Sequence, residues 1–273
     1  MKPANVITST TNRHIKNLVL LQKKAKAREE QGLFVVEGIK MFEEARITGQ
    51  LVQTYVSEGF YVEKNNFDMD NNFFEGLDYE VITDALFKSV SNTITPQGIM
   101  GTVAIQSYKL NQLLENEDAC LLLLEDIRDP GNLGTIIRAG EGAGITGIIM
   151  NDSCVDVYNP KVVRSTMGSI LRMPLYHTQD FIGAIKDVNQ RGIAVYAAHL
   201  SGRNYDTEGH FIEKCAILIG NEANGLSKDA SDIADFLIRI PMEGKVESLN
   251  AAVAAAILMY EAARQRRQKK GNI

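Results

Sequence analysis

Three polar clusters in the second half of the chain hold the residues best suited to chemistry. They are Asn132-Leu133-Gly134-Thr135-Ile136-Ile137-Arg138, Gly220-Asn221-Glu222-Ala223-Asn224-Gly225, and Ile240-Pro241-Met242 with Ser248-Leu249-Asn250 close behind. Each follows an apolar run of strand length, and ligand sites in open α/β sheets form outside the carboxyl ends of such strands, so the three loops point to one composite pocket. Arg138 stands alone amid Ile136, Ile137 and Ala139, where a cation is costly to bury unless it is paired or used; binding an oxyanion or phosphate is such a use. Asn132 suits the N-cap of the helix that follows it. Gly220 allows a backbone to approach a ligand closely and Gly225 permits a turn with positive φ. Glu222 can accept from a cation or a hydroxyl, or serve as an ordinary turn acid.

These loops need strands and helices to position them. From Cys120 onward the pattern alternates: strands at 121–125, 147–150, 193–198, 216–220 and 236–240, and helices at 132–143, 160–171, 181–189 and from Ser248 to about Arg266. Such alternation predicts an α/β domain built on a parallel sheet with helices on both faces. The last helix opens with Ala251, Ala252, Ala254, Ala255 and Ala256, which allow close approach by neighbouring segments and also favour helix outright. Residues 1–106 read as a smaller α/β domain: a basic helix, strands at 33–36, 52–56, 81–83 and 100–105, a helix at 39–47, and an irregular excursion at 61–77. The polar stretch 107–118 serves as a linker to a domain over 119–273.

Other readings of the composition are narrower. Gly142-Ala143-Gly144-Ile145-Thr146-Gly147 matches a dinucleotide fingerprint in letters only, because those glycines should follow a strand and open a helix. Here they close one, with Gly144 where a C-terminal glycine stops a helix. The three cysteines, Cys120, Cys154 and Cys215, are widely spaced and lack any histidine at ligand spacing, which predicts buried thiols and neither disulfides nor a metal site. No apolar run approaches the roughly 20 residues that span a bilayer, and Met1–Thr11 lacks a signal pattern; a cytoplasmic protein without a membrane partner is expected.

A formal charge of -5 argues against bulk electrostatic coating of nucleic acid. Charge is unevenly spread, however. Arg13, His14, Lys16, Lys23, Lys24, Lys26 and Arg28 precede the first nearby acid, Glu29, and the interleaved Ile15, Leu18 and Leu21 give that stretch an apolar face at helical spacing, so the cations should face solvent. The patch is either an RNA-binding face or a merely solvated one.

Taken in this order, the three clusters resemble the signature motifs of the SpoU/TrmH-type RNA ribose 2'-O-methyltransferases of the SPOUT superfamily. Phe34-Val35-Val36-Glu37-Gly38 and Thr95-Pro96-Gln97-Gly98-Ile99 resemble landmarks of the N-terminal substrate-binding domain in that family's ribosomal-RNA branch, a module similar to small ribosomal proteins. Asn159-Pro160-Lys161 and Arg164-Ser165-Thr166-Met167-Gly168-Ser169 resemble its helix after the first motif. The resemblance implies a C-terminal knotted parallel-sheet methyltransferase domain, a homodimer with the pocket near its interface, and S-adenosylmethionine as cofactor with no metal.

By the same resemblance Arg138 is the residue nearest the reacting hydroxyl, with Asn132 and Glu222 orienting it and Ser248 and Asn250 organising the pocket. Leu200, Gly220, Asn221, Gly225, Ile240, Met242 and Leu249 would surround the cofactor, and Arg13, Lys16, Lys23, Lys24, Arg28 and Arg164 would contact RNA. Asn250-Ala251-Ala252 departs from the Asn-Val-Ser of many members and removes one hydroxyl from the site. Ribosomal RNA, 23S in particular, is the expected substrate. A transfer-RNA methyltransferase and a non-catalytic ribosome-binding or assembly module are the alternatives.

Overall fold

The computed structural model describes residues 5–67, 73–206, 211, 213–221 and 223–271, and divides the chain into two compact units. The first comprises residues up to Ile105 together with Tyr158–Leu171; the second comprises Gln106–Val157 and the chain from Arg172 onward.

In the first unit the chain runs β1 (Val6–Ile7), α1 (Arg13–Lys23), α2 (Ala25–Gln31), β2 (Leu33–Glu37), α3 (Ile39–Ile47), β3 (Leu51–Ser57), α4 (Glu58–Phe67), β4 (Tyr79–Ile82), α5 (Asp84–Val90) and β5 (Ile99–Ala104). Its strands form one sheet in the order β1-β4-β3-β5-β2. Strand alternation sends Val35, Tyr55, Ile82 and Met100 to a core with Ile15, Leu18 and Leu21 of α1 and Phe87 of α5, and sends Val56, Val81 and Ile99 to a second core with Phe42 of α3 and Phe60 of α4. The excursion expected over 61–77 thus begins as a helix, because Phe60 anchors α4 in that second core.

The second unit runs α6 (Leu110–Leu114), β6 (Cys120–Leu124), α7 (Pro130–Ala143) and β7 (Gly147–Asn151). After α8 (Pro160–Thr166), which lies in the segment assigned to the first unit, it continues through β8 (Leu175–Thr178), α9 (Phe181–Gln190), β9 (Ala194–Asn204), β10 (Cys215–Ile219), α10 (Lys228–Ile233), β11 (Phe236–Arg239) and α11 (Ala251–Gly271). All six strands pair in parallel in the order β11-β9-β10-β6-β7-β8. Central β6, Cys-Leu-Leu-Leu-Leu, is buried along its whole length, as a strand covered on both faces must be. Leu121, Leu123, Ala216 and Leu218 pack beneath Phe181, Ile185 and Val188 of α9 and Leu113 and Leu114 of α6. The alternating Leu122, Leu124, Ile217 and Ile219 are equally buried on the other face, where α11 packs on α7 and β10. Each such aliphatic side chain contributes about 1.5–3 kcal/mol of burial.

Several boundaries differ from the sequence reading, among them that of β9, which runs to Asn204 where a strand over 193–198 is expected. The stretch 107–118 is part of the second unit, since α6 buries Leu113 and Leu114 in its core, and the helix expected over 160–171 stops at Thr166, where Met167 turns to a φ of 52° before a 3-10 turn over Ser169–Leu171. Among the described residues no helix is long and apolar enough to cross a membrane, and no group of three or more His, Cys, Asp or Glu is placed to hold a metal ion.

Candidate functional site: a cavity at the carboxyl edge of the parallel sheet

A cavity of about 410 Å³ opens at the carboxyl ends of β10 and β11, beside Ala198–Leu200 in the middle of β9, and is closed by the start of α11. Its floor and walls include Ile219, Leu226, Ile238 and Leu258, and its rim includes His199, Asn224 and Glu247. All seven residues expected around a cofactor, Leu200, Gly220, Asn221, Gly225, Ile240, Met242 and Leu249, line it, as does Ser248. Ala251 and Ala254 face it too, so the alanines at the head of α11 give the cavity its room.

The loop after β10 is shaped by its own bonds. Asn221 and Gly225 exchange backbone hydrogen bonds of 3.1 and 2.9 Å, and Asn221 Oδ1 accepts from the N–H groups of Ala223 (2.8 Å) and Asn224 (3.2 Å). Gly225 turns the chain with a φ of 67°. A Cβ on Gly220 would lie 2.4 Å from the Gly225 carbonyl, so this glycine is demanded by the closure of its own loop. Glu222 lies outside the described residues.

Helix starts on the two flanking elements differ from the sequence reading. Pro130 occupies the first turn of α7 and Asp129 caps it, accepting from Asn132 N–H at 2.8 Å; the chain is already helical at Asn132, whose side chain is thereby released from capping. Asn250, not Ser248, caps α11, its Oδ1 accepting from Ala252 N–H (2.9 Å) and Val253 N–H (3.3 Å). The two freed functions meet: Asn250 Nδ2 donates to Asn132 Oδ1 at 2.9 Å.

Arg138 is not brought to this cavity. Leu133, Ile136, Ile137 and Gly140 form the buried stripe of α7, and Arg138 falls on the exposed side without an ion pair or hydrogen bond among the described residues. The expectation that it pays a burial cost is therefore corrected; the i, i+3, i+4, i+7 spacing of that stripe already placed it outside. At about 100° per residue, six residues of helix also separate its direction from that of Asn132 by roughly a third of a turn.

In the first unit Arg13, Lys16 and Lys23 project from one side of α1 with Lys24 just beyond its end, all exposed. Arg28 does not join them. It is 4% exposed and its Nη1 donates to the carbonyls of Leu21 and Gln22, capping the end of α1 from within, which removes it from the RNA-contacting set. Arg164 of α8 is exposed, and its Nη1 donates to the Asn92 carbonyl at 3.2 Å.

Sequence reasoning missed His199 and Glu247 on the cavity rim and gave no role to Asn224 within its cluster. His199 was findable, since it directly precedes Leu200 and follows the strand expected over 193–198. Its Nδ1 lies 2.7 Å from Ser201 Oγ and 3.2 Å from the Ser201 backbone nitrogen, which fixes the ring against the strand.

Comparisons with known proteins agree with this architecture. Residues 119–260 match the model of the SpoU rRNA Methylase family, and residues 12–101 match that of the MRM3-like substrate binding domain. The chain is 29% identical over 254 residues to the 23S rRNA (guanosine(2553)-2'-O)-methyltransferase RlmP of Bacillus subtilis, covering 93% of this chain and 97% of that one. Among solved structures, the AdoMet-bound rRNA methyltransferase from Sinorhizobium meliloti superposes with a TM-score of 0.80 at 31% identity, covering 95% of this chain and 97% of the other. The SpoU methyltransferase AviRb from Streptomyces viridochromogenes, in complex with AdoMet, superposes with a TM-score of 0.82 at 26% identity over 94% of this chain and 100% of its own.

Proposed function

The chain belongs to the SpoU rRNA methylase family, and from that premise we propose that it transfers the methyl group of S-adenosylmethionine to a ribose 2'-hydroxyl in RNA, with 23S ribosomal RNA as its substrate. The observation that carries this reading is the cavity at the carboxyl edge of the sheet, whose lining contains every residue expected around the cofactor. Its residues fit the group. The volume of about 410 Å³ suits a nucleoside-sized ligand, Ile219, Leu226, Ile238 and Leu258 offer apolar contact to a purine, and His199, Asn224 and Glu247 offer polar contacts at the open side.

Bound there, S-adenosylmethionine supplies an electrophilic methyl on its sulfonium. The protein's task is to hold the ribose hydroxyl in line with that methyl and to help it lose its proton. A guanidinium is a poor base, so Arg138 acts as an electrostatic partner of the developing alkoxide or of the adjacent phosphate. Its exposure on α7 leaves the guanidinium accessible to RNA or to a second copy of the chain. Asn132 and Asn250 hold the start of α11 against α7, and Ser248 lines the cavity beside them. Glu222 is assigned to orienting Arg138 by family resemblance. The homodimer, the trefoil knot and the cytoplasmic location expected for this family belong to the same proposal, as do separate roles for a substrate-binding domain ahead of residue 106 and a methyltransferase domain behind it.

Arg13, Lys16, Lys23, Lys24 and Arg164 are the proposed phosphate contacts. The substrate-binding module over 12–101 favours ribosomal RNA over transfer RNA. Purified protein incubated with labelled S-adenosylmethionine and 23S ribosomal RNA should label a ribose, and a 2'-deoxy substitution at that nucleotide should abolish the label. Binding of ribosomal RNA without any methyl transfer would leave the assembly-module alternative in its place.

A further inference from the structure

Asp126, in the loop leaving β6, adopts a φ of 58°, and among the described non-glycine residues only Met167 shares a positive value. Aspartate tolerates this left-handed region better than most residues because its short side chain can bond nearby backbone and side chains. The conformation directs four groups of one residue toward three partners. Its N–H donates to Asn151 Oδ1 at 3.0 Å while its Oδ1 accepts from Asn151 Nδ2 at 3.0 Å, a two-bond clasp on the end of β7. Its Oδ2 accepts from Arg128 Nη2 at 3.1 Å, and its carbonyl accepts from Asn221 Nδ2 at 2.9 Å. Asn221 lines the cavity and closes the loop after β10; Asp126, Arg128 and Asn151 are not among the lining residues.

We propose that Asp126 is a positioning residue that joins the loops after β6, β7 and β10 into one rigid rim, so that Asn151 sets cofactor affinity from outside the cavity by acting through Asp126 on Asn221. The inference rests on reading the cavity as the cofactor site. Each bond it invokes is within ordinary hydrogen-bond length, and the chain of contacts is continuous from Asn151 to the lining. The Asn151 amide, with help from Ser153 and Arg128, also holds the Asp126 carboxyl below the usual carboxylate range, so the acceptor stays ionised at neutral pH.

A double-mutant cycle on the full chain tests this, with S-adenosylmethionine titrated calorimetrically into wild type, Asn151→Ala, Asn221→Ala and the double variant. Each single change should weaken binding by about five- to twentyfold, and the double should be within about twofold of the weaker single, because either break already frees the rim. Asp126→Asn keeps the backbone bonds and an acceptor for Asn151 Nδ2 and should stay within about threefold of wild type, whereas Asp126→Ala should fall with Asn151→Ala; this pair decides the matter if Asn151→Ala fails to fold. Single effects that multiply in the double variant, or wild-type affinity in Asn151→Ala, would overturn the inference while leaving the cofactor reading intact. A wild-type chain that does not bind S-adenosylmethionine would overturn both.

Discussion

Asn250 and Asn132, 118 residues apart in the chain, share a 2.9 Å hydrogen bond, and Asn250 makes it with the half of its amide that capping leaves over. The two functions can be separated by substitution. Asn250→Ala loses the cap of α11 and the link to α7, and should cost about 1–2 kcal/mol of stability. Asn250→Asp keeps the accepting oxygen and loses the donor, so it should recover most of the melting temperature but not the cofactor affinity of wild type. Equal melting temperatures for Asn250→Ala and Asn132→Ala would refute the capping role.

Gly220 and Gly225 should respond differently to the same methyl group. Gly220→Ala forces a Cβ onto the Gly225 carbonyl at 2.4 Å, so the loop must open and cofactor affinity should fall by at least tenfold while the far-ultraviolet circular dichroism stays near wild type. Gly225→Ala meets no atom within 4 Å and bears only its left-handed φ, a cost of about 1–2 kcal/mol. Calorimetry on both variants checks the order; a milder effect at Gly220 would contradict the loop geometry.

On the basic helix, Lys16, Lys23 and Lys24 changed together to Ala should weaken RNA binding and reduce the slope of log affinity against log salt by roughly 0.7–0.9 per lost phosphate contact. Arg28→Ala should instead lower the melting temperature, since its guanidinium bonds the buried carbonyls at the end of α1. A salt slope that shifts with Arg28→Ala and not with the triple variant would reverse the two assignments.

All three cysteines are buried, and burial pushes the Cys154 thiol up to about 11. At pH 8 a disulfide reagent should find no reactive thiol in the native protein and three in denaturant. The linked stability has a definite sign: with the folded value raised, it is fully present below the ordinary thiol range near 8.5 and is lost as pH rises toward about 11. Thermal melts across that window should show the decline. Reaction of one native equivalent at pH 8 would mean that Cys154 is reached by solvent.

The strand-loop-helix rhythm was legible because the central parallel strands β6, β7 and β10 are covered on both faces and therefore read as uninterrupted apolar runs such as Leu121–Leu124. The cavity lining was legible for the same reason, each lining loop sitting where such a run ends. Short elements were not: β8 and α10 carry too few residues to show a period, and β1 has only two. Helix starts moved by two or three residues because Asp129 and Asn132 are both good caps, as are Ser248 and Asn250, and Pro130 fits the first turn behind Asp129. Arg28 misled because α2 turns back toward α1, a tertiary fact that placed one cation of a basic run inside.

The proposed mechanism rests on Arg138, and its surroundings make it a clean target. The side chain is exposed and has no ion pair or hydrogen bond among the described residues, so Arg138→Lys should leave the melting temperature unchanged. Lysine keeps the charge but loses the planar fork that can hold a phosphate oxygen and a ribose oxygen together. Cofactor and RNA affinity should therefore stay near wild type while single-turnover methylation falls on the order of a hundredfold or more, the scale of losing one oxyanion donor. The pH profile separates the two chemical roles: if Arg138 stabilises charge and does not take the proton, the residual rate of the variant should still rise with pH as the hydroxyl ionises unaided. A wild-type single-turnover rate in Arg138→Lys would remove Arg138 from the reaction and turn attention to Glu222 or to a phosphate of the RNA itself.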